Sequence, residues 1–307
     1  MKHTDFISIH DYSAPEIERL FKLAIQIKRT PQRFSSALKG RTLAMIFEKP
    51  SLRTRVTFET GIYQLGGQGI YLAPSDISLQ KRESVYDVGK NLERWCDGIM
   101  IRTFGHDICT GLAEAASIPV INGLTDLEHP CQAFADFLTI REHKRTLKGI
   151  KVAFIGDGNN VANSLMGMGA KTGAHVWVAS PSNYEPKTER VELARQDARS
   201  AKLRSKIFVT NDPFEAAHDA DVIYTDVWAS MGQETEAELR KKVFWSYQVN
   251  SELMAHAKPD AIFMHCLPAH RGEEVTDEVI DSPQSVVFDE AENRLHAQKA
   301  IMVMLMK

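Results

Sequence analysis

Apolar residues fall along this chain in two patterns. Short runs such as Thr42–Phe47, 69–73, 98–102 and 119–122 are apolar almost throughout, as a strand covered on both faces reads. Between them apolar residues recur at three- and four-residue spacing. Ile17, Leu20, Phe21 and Ala24 share a face in the first forty residues, which read as helix, with Ser13 as N-cap and Pro15 just inside. Phe58, Ile62 and Leu65 share a face in a helix over 53–66. A polar loop is expected over 74–83, helices over 85–95 and 108–117, and a longer helix opening at 127–132 and ending near Arg145. Lys148-Gly149 marks a junction, after which the alternation resumes. Strands are expected at 151–157, 174–179, 206–210, 221–225, 261–265 and 285–288, with a helix to finish. The methionine-rich end, Ile301 to Met306, reads as a buried packing helix. The pattern predicts an α/β fold: two doubly wound parallel-sheet domains of similar size joined by long helices, bounded as 1–147 and 148–289.

In such sheets ligands gather at the carboxyl ends of strands, and the polar residues of this chain concentrate there. Ser51-Leu52-Arg53-Thr54-Arg55 follows the first buried run and opens a helix. A helix N-terminus already favours an anion. Ser51 and Thr54 add neutral donors, and Arg53 and Arg55 add planar forks suited to phosphate oxygens. Arg102 ends another strand, and His129-Pro130-Cys131-Gln132 follows a further one. In the second half Gly156-Asp157-Gly158 leads into Asn163, Asp226 to Gly232 follows the 221–225 strand, and Cys266-Leu267-Pro268 follows the 261–265 strand. The first of these turns half-matches a dinucleotide fingerprint. Val161 stands where the third glycine belongs, however, and no acidic residue ends the next strand, which argues against a nicotinamide cofactor. A bare turn presenting Asn163 to a small polar ligand fits better.

The formal net charge of -3 argues against a nucleic-acid or acidic-membrane partner, so an anion site must be local. Cys96, Cys109, Cys131 and Cys266 are scattered, forming neither a disulfide framework nor a zinc site. With no apolar signal core at Met1–Phe6, this makes a reducing cytoplasm the expected location.

Taken together, these stretches resemble the transcarbamylase family. The wider family shares Ser51–Arg55 and His129–Gln132, and its ornithine branch adds Asn163, Asp226–Gly232 and His265–Pro268. The aspartate branch has a different residue where this chain has Cys266. The polar segment 78–84 departs from the family loop that reaches a neighbouring subunit's site, with Gln80 or Lys81 as substitutes for Ser78, and Val88 stands where threonine is common.

The resemblance implies transfer of the carbamoyl group of carbamoyl phosphate to the δ-amine of L-ornithine, giving L-citrulline and phosphate, without metal or cofactor. Arginine biosynthesis is favoured over arginine breakdown. It implies that Ser51, Leu52, Arg53, Thr54 and Arg55 hold the phosphate, and that Arg102, His129 and Thr54 polarise the carbamoyl oxygen. Gln132, Cys266 and Leu267 would meet the carbamoyl group, with Arg294 as a further contact. Asn163, Asp226, Ser230 and Met231 would hold ornithine. Arg102, His129, Cys266 and Asp226 are the catalytic set. Either Cys266, coupled to Asp226, or the departing phosphate takes the amine proton. The final helix, about 290–307, is expected to return to the first domain, and a homotrimer or a multiple of trimers is expected. The rivals are a transcarbamylase for another amine, such as putrescine, and a silent protein that senses amino acid or phosphate.

Overall fold

The computed structural model describes residues 4–77, 79 and 82–307. Ser78, Gln80 and Lys81, named above for a cross-subunit contact, lie outside the described residues. The chain divides into two compact units, one of residues 1–135 with 292–307 and the other of 136–291. The divisions fall inside two helices, Pro130–Lys144 and Val287–Met306.

The first unit holds a parallel sheet of four strands, β1 (Thr42–Phe47), β2 (Gln68–Leu72), β3 (Gly98–Arg102) and β4 (Val120–Leu124), in the order β2-β1-β3-β4. β1 and β3 are almost wholly buried, which is why their sequences are apolar without alternation. The chain passes from β1 to β2 on one side and then to β3 on the other. The switch point therefore lies between β1 and β3, with Ser51 just beyond one strand and Arg102 at the end of the other. Phe6 bridges Ile121, donating to the Val120 carbonyl at 2.8 Å, and so covers the β4 edge. The final helix lays Met302 and Met306 against glycines. A Cβ on Gly61 would stand 3.0 Å from Met302 Cε, and one on Gly98 would stand 3.1 Å from Met306 Sδ. The methionine-rich end is thus a buried packing face.

The second unit holds β5 (Lys151–Ile155), β6 (His175–Ala179), β7 (Ile207–Thr210), β8 (Val222–Thr225) and β9 (Ile262–His265), all parallel in the order β7-β6-β5-β8-β9. Its switch point lies between β5 and β8, where Asp157 and Asp226 follow the strands. Both units are doubly wound parallel sheets, as expected. No described helix is long and apolar enough to cross a membrane.

Three differences from the expected elements have physical causes. The opening helix is confined to Ala14–Arg29, since Pro31 cannot continue it and starts a separate turn of 3-10 helix. Pro74–Ile77 forms one helical turn within the expected loop. The apolar run 285–288 is not a strand. Only Ser285 bridges the β9 edge, at Phe263, and the last helix already begins at Val287 with Asp289 and Glu290 in its first turn. Carboxylates there complement the helix dipole, and that local preference outweighs a short apolar run at a sheet edge.

Candidate active site

In the first unit the sequence builds a cationic cradle. Ser51 is extended, caps the helix Leu52–Gln64 and accepts from Thr54 N–H at 3.2 Å, as an N-cap hydroxyl does. The loop before it is tied to β3, because Glu48 N–H donates to the Arg102 carbonyl at 2.8 Å. Lys49, nearly buried, pairs with Asp126 and lies over the Phe104 ring, 4.2 Å from its centroid. His129 precedes Pro130, the first residue of its helix, and its carbonyl accepts from Gln132 and Ala133 N–H, each at 3.1 Å.

Arg294, on the final helix and buried, joins these pieces. Its guanidinium donates to Thr54 Oγ1 at 3.0 Å and to Gln132 Oε1. Burial pushes the His129 imidazole well below its ordinary value, and the charges of Arg294, Arg102 and Arg53 push it the same way. His129 is therefore a neutral imidazole among three guanidiniums, suited to donating one hydrogen bond. The structure brings together Ser51, Arg53, Thr54, Arg102, His129, Gln132 and Arg294. It turns the other two residues of the opening stretch outward. The Leu52 side chain is 74% exposed, and Arg55 pairs with Glu59 at 3.2 Å and stacks on Tyr71, 3.7 Å from the ring centroid. Leu52 has only its backbone N–H to offer at the helix N-terminus.

In the second unit Asp226 is the centre. It is buried, and its carboxylate accepts from Asn159 Nδ2 at 2.9 Å, Cys266 Sγ at 3.1 Å and Val227 N–H at 2.8 Å. Burial first, and the Asp226 charge second, push the Cys266 thiol well above its ordinary value, so it stays protonated and donates. Asn163 is buried one turn into the helix that Asn159 caps. Gly158 makes this turn possible, since a Cβ there would stand 2.1 Å from Pro186 N. Met231 is 44% exposed, and Ser230 N–H donates to Gln233 Oε1 at 2.9 Å, folding the loop on itself.

Supports here escaped the sequence reading. Leu267 has φ +57° before a cis Leu267–Pro268 peptide. Its N–H donates to His265 Nδ1 at 2.8 Å, which leaves the hydrogen on Nε2, 3.1 Å from Glu274 Oε1. Arg240 spans the turn and the 226–232 loop, donating to Asp157 at 3.0 Å and to the Trp228 carbonyl at 3.0 Å. Glu290 accepts from Tyr224 OH at 3.1 Å and His265 N–H at 3.0 Å. Burial and the neighbouring Asp136 hold its carboxyl well above the usual range. Asp157, directly after a strand, and His265 and Leu267, at the end of another, carried a sequence signal, whereas Arg240, Glu274 and Glu290 carried none.

Among the described residues, two groups present metal-ligand atoms within 4.8 Å of one another, Asp226 with His265 and Cys266, and His270 with Glu273 and Glu274. Both nitrogens of His265 are already committed to Leu267 and Glu274, so an ion on the first group would have to displace one of those bonds.

Two family profiles match the chain. The carbamoyl-P binding domain of aspartate/ornithine carbamoyltransferase matches residues 4–142, and its Asp/Orn binding domain matches residues 148–305. The ornithine carbamoyltransferase of Thermococcus kodakarensis is 55% identical, covering 98% of this chain and 96% of that one. That of Symbiobacterium thermophilum is 56% identical over 100% of this chain and 99% of its own. The solved ornithine carbamoyltransferase of Pyrococcus furiosus superposes with a TM-score of 0.95 at 53% identity, covering 98% of this chain and 96% of that one. On the profiles, the relatives and the fold alike, the chain belongs to the aspartate/ornithine carbamoyltransferase family.

Proposed function

We propose that the chain is an ornithine carbamoyltransferase, joining the carbamoyl group of carbamoyl phosphate to the δ-amine of L-ornithine and releasing phosphate. The observation that carries the second substrate is the buried Asp226 carboxylate with the Cys266 thiol donating to it. A fixed negative charge favours an ammonium ligand and repels the side-chain carboxylate of aspartate.

In the first unit, the Ser51-capped helix N-terminus and Arg53 hold the phosphate, with Arg55 and the Leu52 N–H as outer contacts. Arg102, neutral His129 and Thr54 donate to the carbamoyl oxygen as it gains charge. Gln132, its carbonyl already held by Arg294, fixes the carbamoyl amide. In the second unit Asp226 pairs the α-ammonium, Asn163 and the Ser230-Met231 segment hold the amino-acid end, and Cys266 contacts the δ-nitrogen.

Attack needs a neutral amine, and freeing one from a pKa of ~10.4 at neutral pH costs about 4–5 kcal/mol. A thiol held protonated is a poor acceptor for that proton, which favours the departing phosphate in its place. Turnover with both substrates saturating should rise with pH above neutrality, with one phosphate released per citrulline. A flat profile would remove amine deprotonation from rate control. A folded protein that binds carbamoyl phosphate without turnover would be a sensor instead.

Three further assignments rest on the same reading. A relative 53% identical is named as the anabolic enzyme of Pyrococcus furiosus, which supports the synthetic direction. A homotrimer, or a multiple of one, is supported by Leu52, Val56 and Tyr63, all exposed on the capped helix, and light scattering of a monomer would overturn it. Four free cysteines support a reducing cytoplasm.

A further inference from the structure

On the second unit, away from the strand ends of its switch point, an open depression of about 580 Å³ is lined by eight residues, five of them the cations Arg195, Arg199, Lys202, Arg204 and Lys206. Arg195 is engaged, with Glu192 at 2.7 Å and the Ile207 carbonyl at 3.2 Å. Among the described residues the other four, Arg199, Lys202, Arg204 and Lys206, form no ion pair. The nearest carboxylate before them in sequence, Asp197, is 2.9 Å from Lys171 and neutralised there. A basin lined by one sign of charge focuses its field and concentrates counter-ions.

Helix chemistry accounts for part of this at most. The helix Thr188–Ala201 attracts cations to its last turn, which explains Arg199. Lys202, Arg204 and Lys206 lie beyond its end. Lys202 and Arg204 also adopt left-handed backbone, with φ of +56° and +62°, at positions where glycine or asparagine would be unstrained. Long cationic side chains stand there against both backbone preference and mutual repulsion. Ser205 adds a hydroxyl to the lining. The field reaches His175, whose Nδ1 accepts from Lys206 N–H at 3.1 Å. Burial and then the Lys206 charge lower that imidazole, against a smaller opposing effect of Asp221.

We propose that this basin is a binding site for a polyphosphate group. Four cations without ion pairs around one open depression match a chain of linked phosphates better than a single phosphate, and the guanidinium forks suit bidentate contact with its oxygens. The volume is that of a small-molecule site, and the net charge of -3 gives an extended polyanion no long-range attraction to the chain. The polyphosphate is either free or the tail of a nucleotide.

Calorimetric titration of the full chain with inorganic tripolyphosphate and with ATP tests the site, using two variants. In Arg53→Gln, which disables the phosphate cradle of the first unit, tripolyphosphate binding should persist. In the double variant Lys202→Gln/Arg204→Gln, which leaves carbamoyl transfer unchanged, it should weaken by about tenfold or more. In the parent chain the His175 imidazole should move to higher pKa as tripolyphosphate binds. Equal affinities for tripolyphosphate and ATP would assign the phosphate chain alone, and tighter ATP binding would assign a nucleotide. Binding lost in Arg53→Gln and kept in the double variant would overturn the proposal. So would an oligonucleotide that binds the basin more tightly than either probe, and so would no binding at all.

Discussion

His129 stands among Arg53, Arg102 and Arg294, and both burial and those charges oppose its protonation. Its folded pKa lies below the unfolded 6.5, so its contribution to stability is intact above 6.5 and is lost as pH falls toward the folded value. The ring should keep the NMR signature of neutral imidazole at about pH 6, where a free imidazole is mostly charged, and a midpoint near 6.5 would contradict this. Cys266 is the opposite case, a thiol kept protonated by burial and by the Asp226 carboxylate that it donates to. It should alkylate slowly at neutral pH. Asp226→Asn removes the second cause and should raise the rate at fixed pH several-fold, with mass spectrometry separating Cys266 from the buried Cys96, Cys109 and Cys131. An unchanged rate would mean that Asp226 does not control the thiol.

The elements that bear these residues are tied by contacts distant in sequence. Arg240 reaches Asp157 after β5 and the Trp228 carbonyl in the loop after β8, so one side chain fixes both turns that flank Asp226. Burial raises the Asp157 carboxyl to about 6, although Arg240 opposes the rise. Because its folded pKa exceeds the unfolded 3.8, the charged form costs stability above about 6, and stability from this group increases as pH falls through that value. Asp157→Asn abolishes that dependence while keeping an acceptor for Arg240. Lowering the pH from 7.5 to 5 should therefore stabilise the parent over the variant by about 1 kcal/mol in denaturant titrations. A constant difference would show that Asp157 does not titrate there. Partners this far apart explain why the sequence was silent about them. Arg240 and Asp157 are 83 residues apart, and a lone arginine on a helix face reads as solvated. Glu290 beside Asp136 was hidden for the same reason. Strands with both faces covered were legible as apolar runs, whereas 285–288 misled because its valines serve the start of a helix.

At the scale of the whole molecule, each unit gathers polar residues at the switch point of its own sheet, Ser51 and Arg102 in one and Asp157 and Asp226 in the other. That much followed from alternating strands and helices with polar residues at the strand ends. The cradle itself did not, since Arg294 is 240 residues from Thr54 and only the folded final helix brings them together. In the proposed reaction the first unit's cradle activates carbamoyl phosphate, and the Asp226 carboxylate of the second holds an ammonium and disfavours a substrate with a second carboxylate. This selectivity is tested most directly by initial rates of carbamoyl transfer to ornithine, putrescine, acetylornithine and aspartate offered in parallel. Ornithine should be strongly preferred and aspartate should be inert. Comparable transfer to aspartate would contradict the role given to Asp226, and faster transfer to putrescine than to ornithine would contradict ornithine as the substrate.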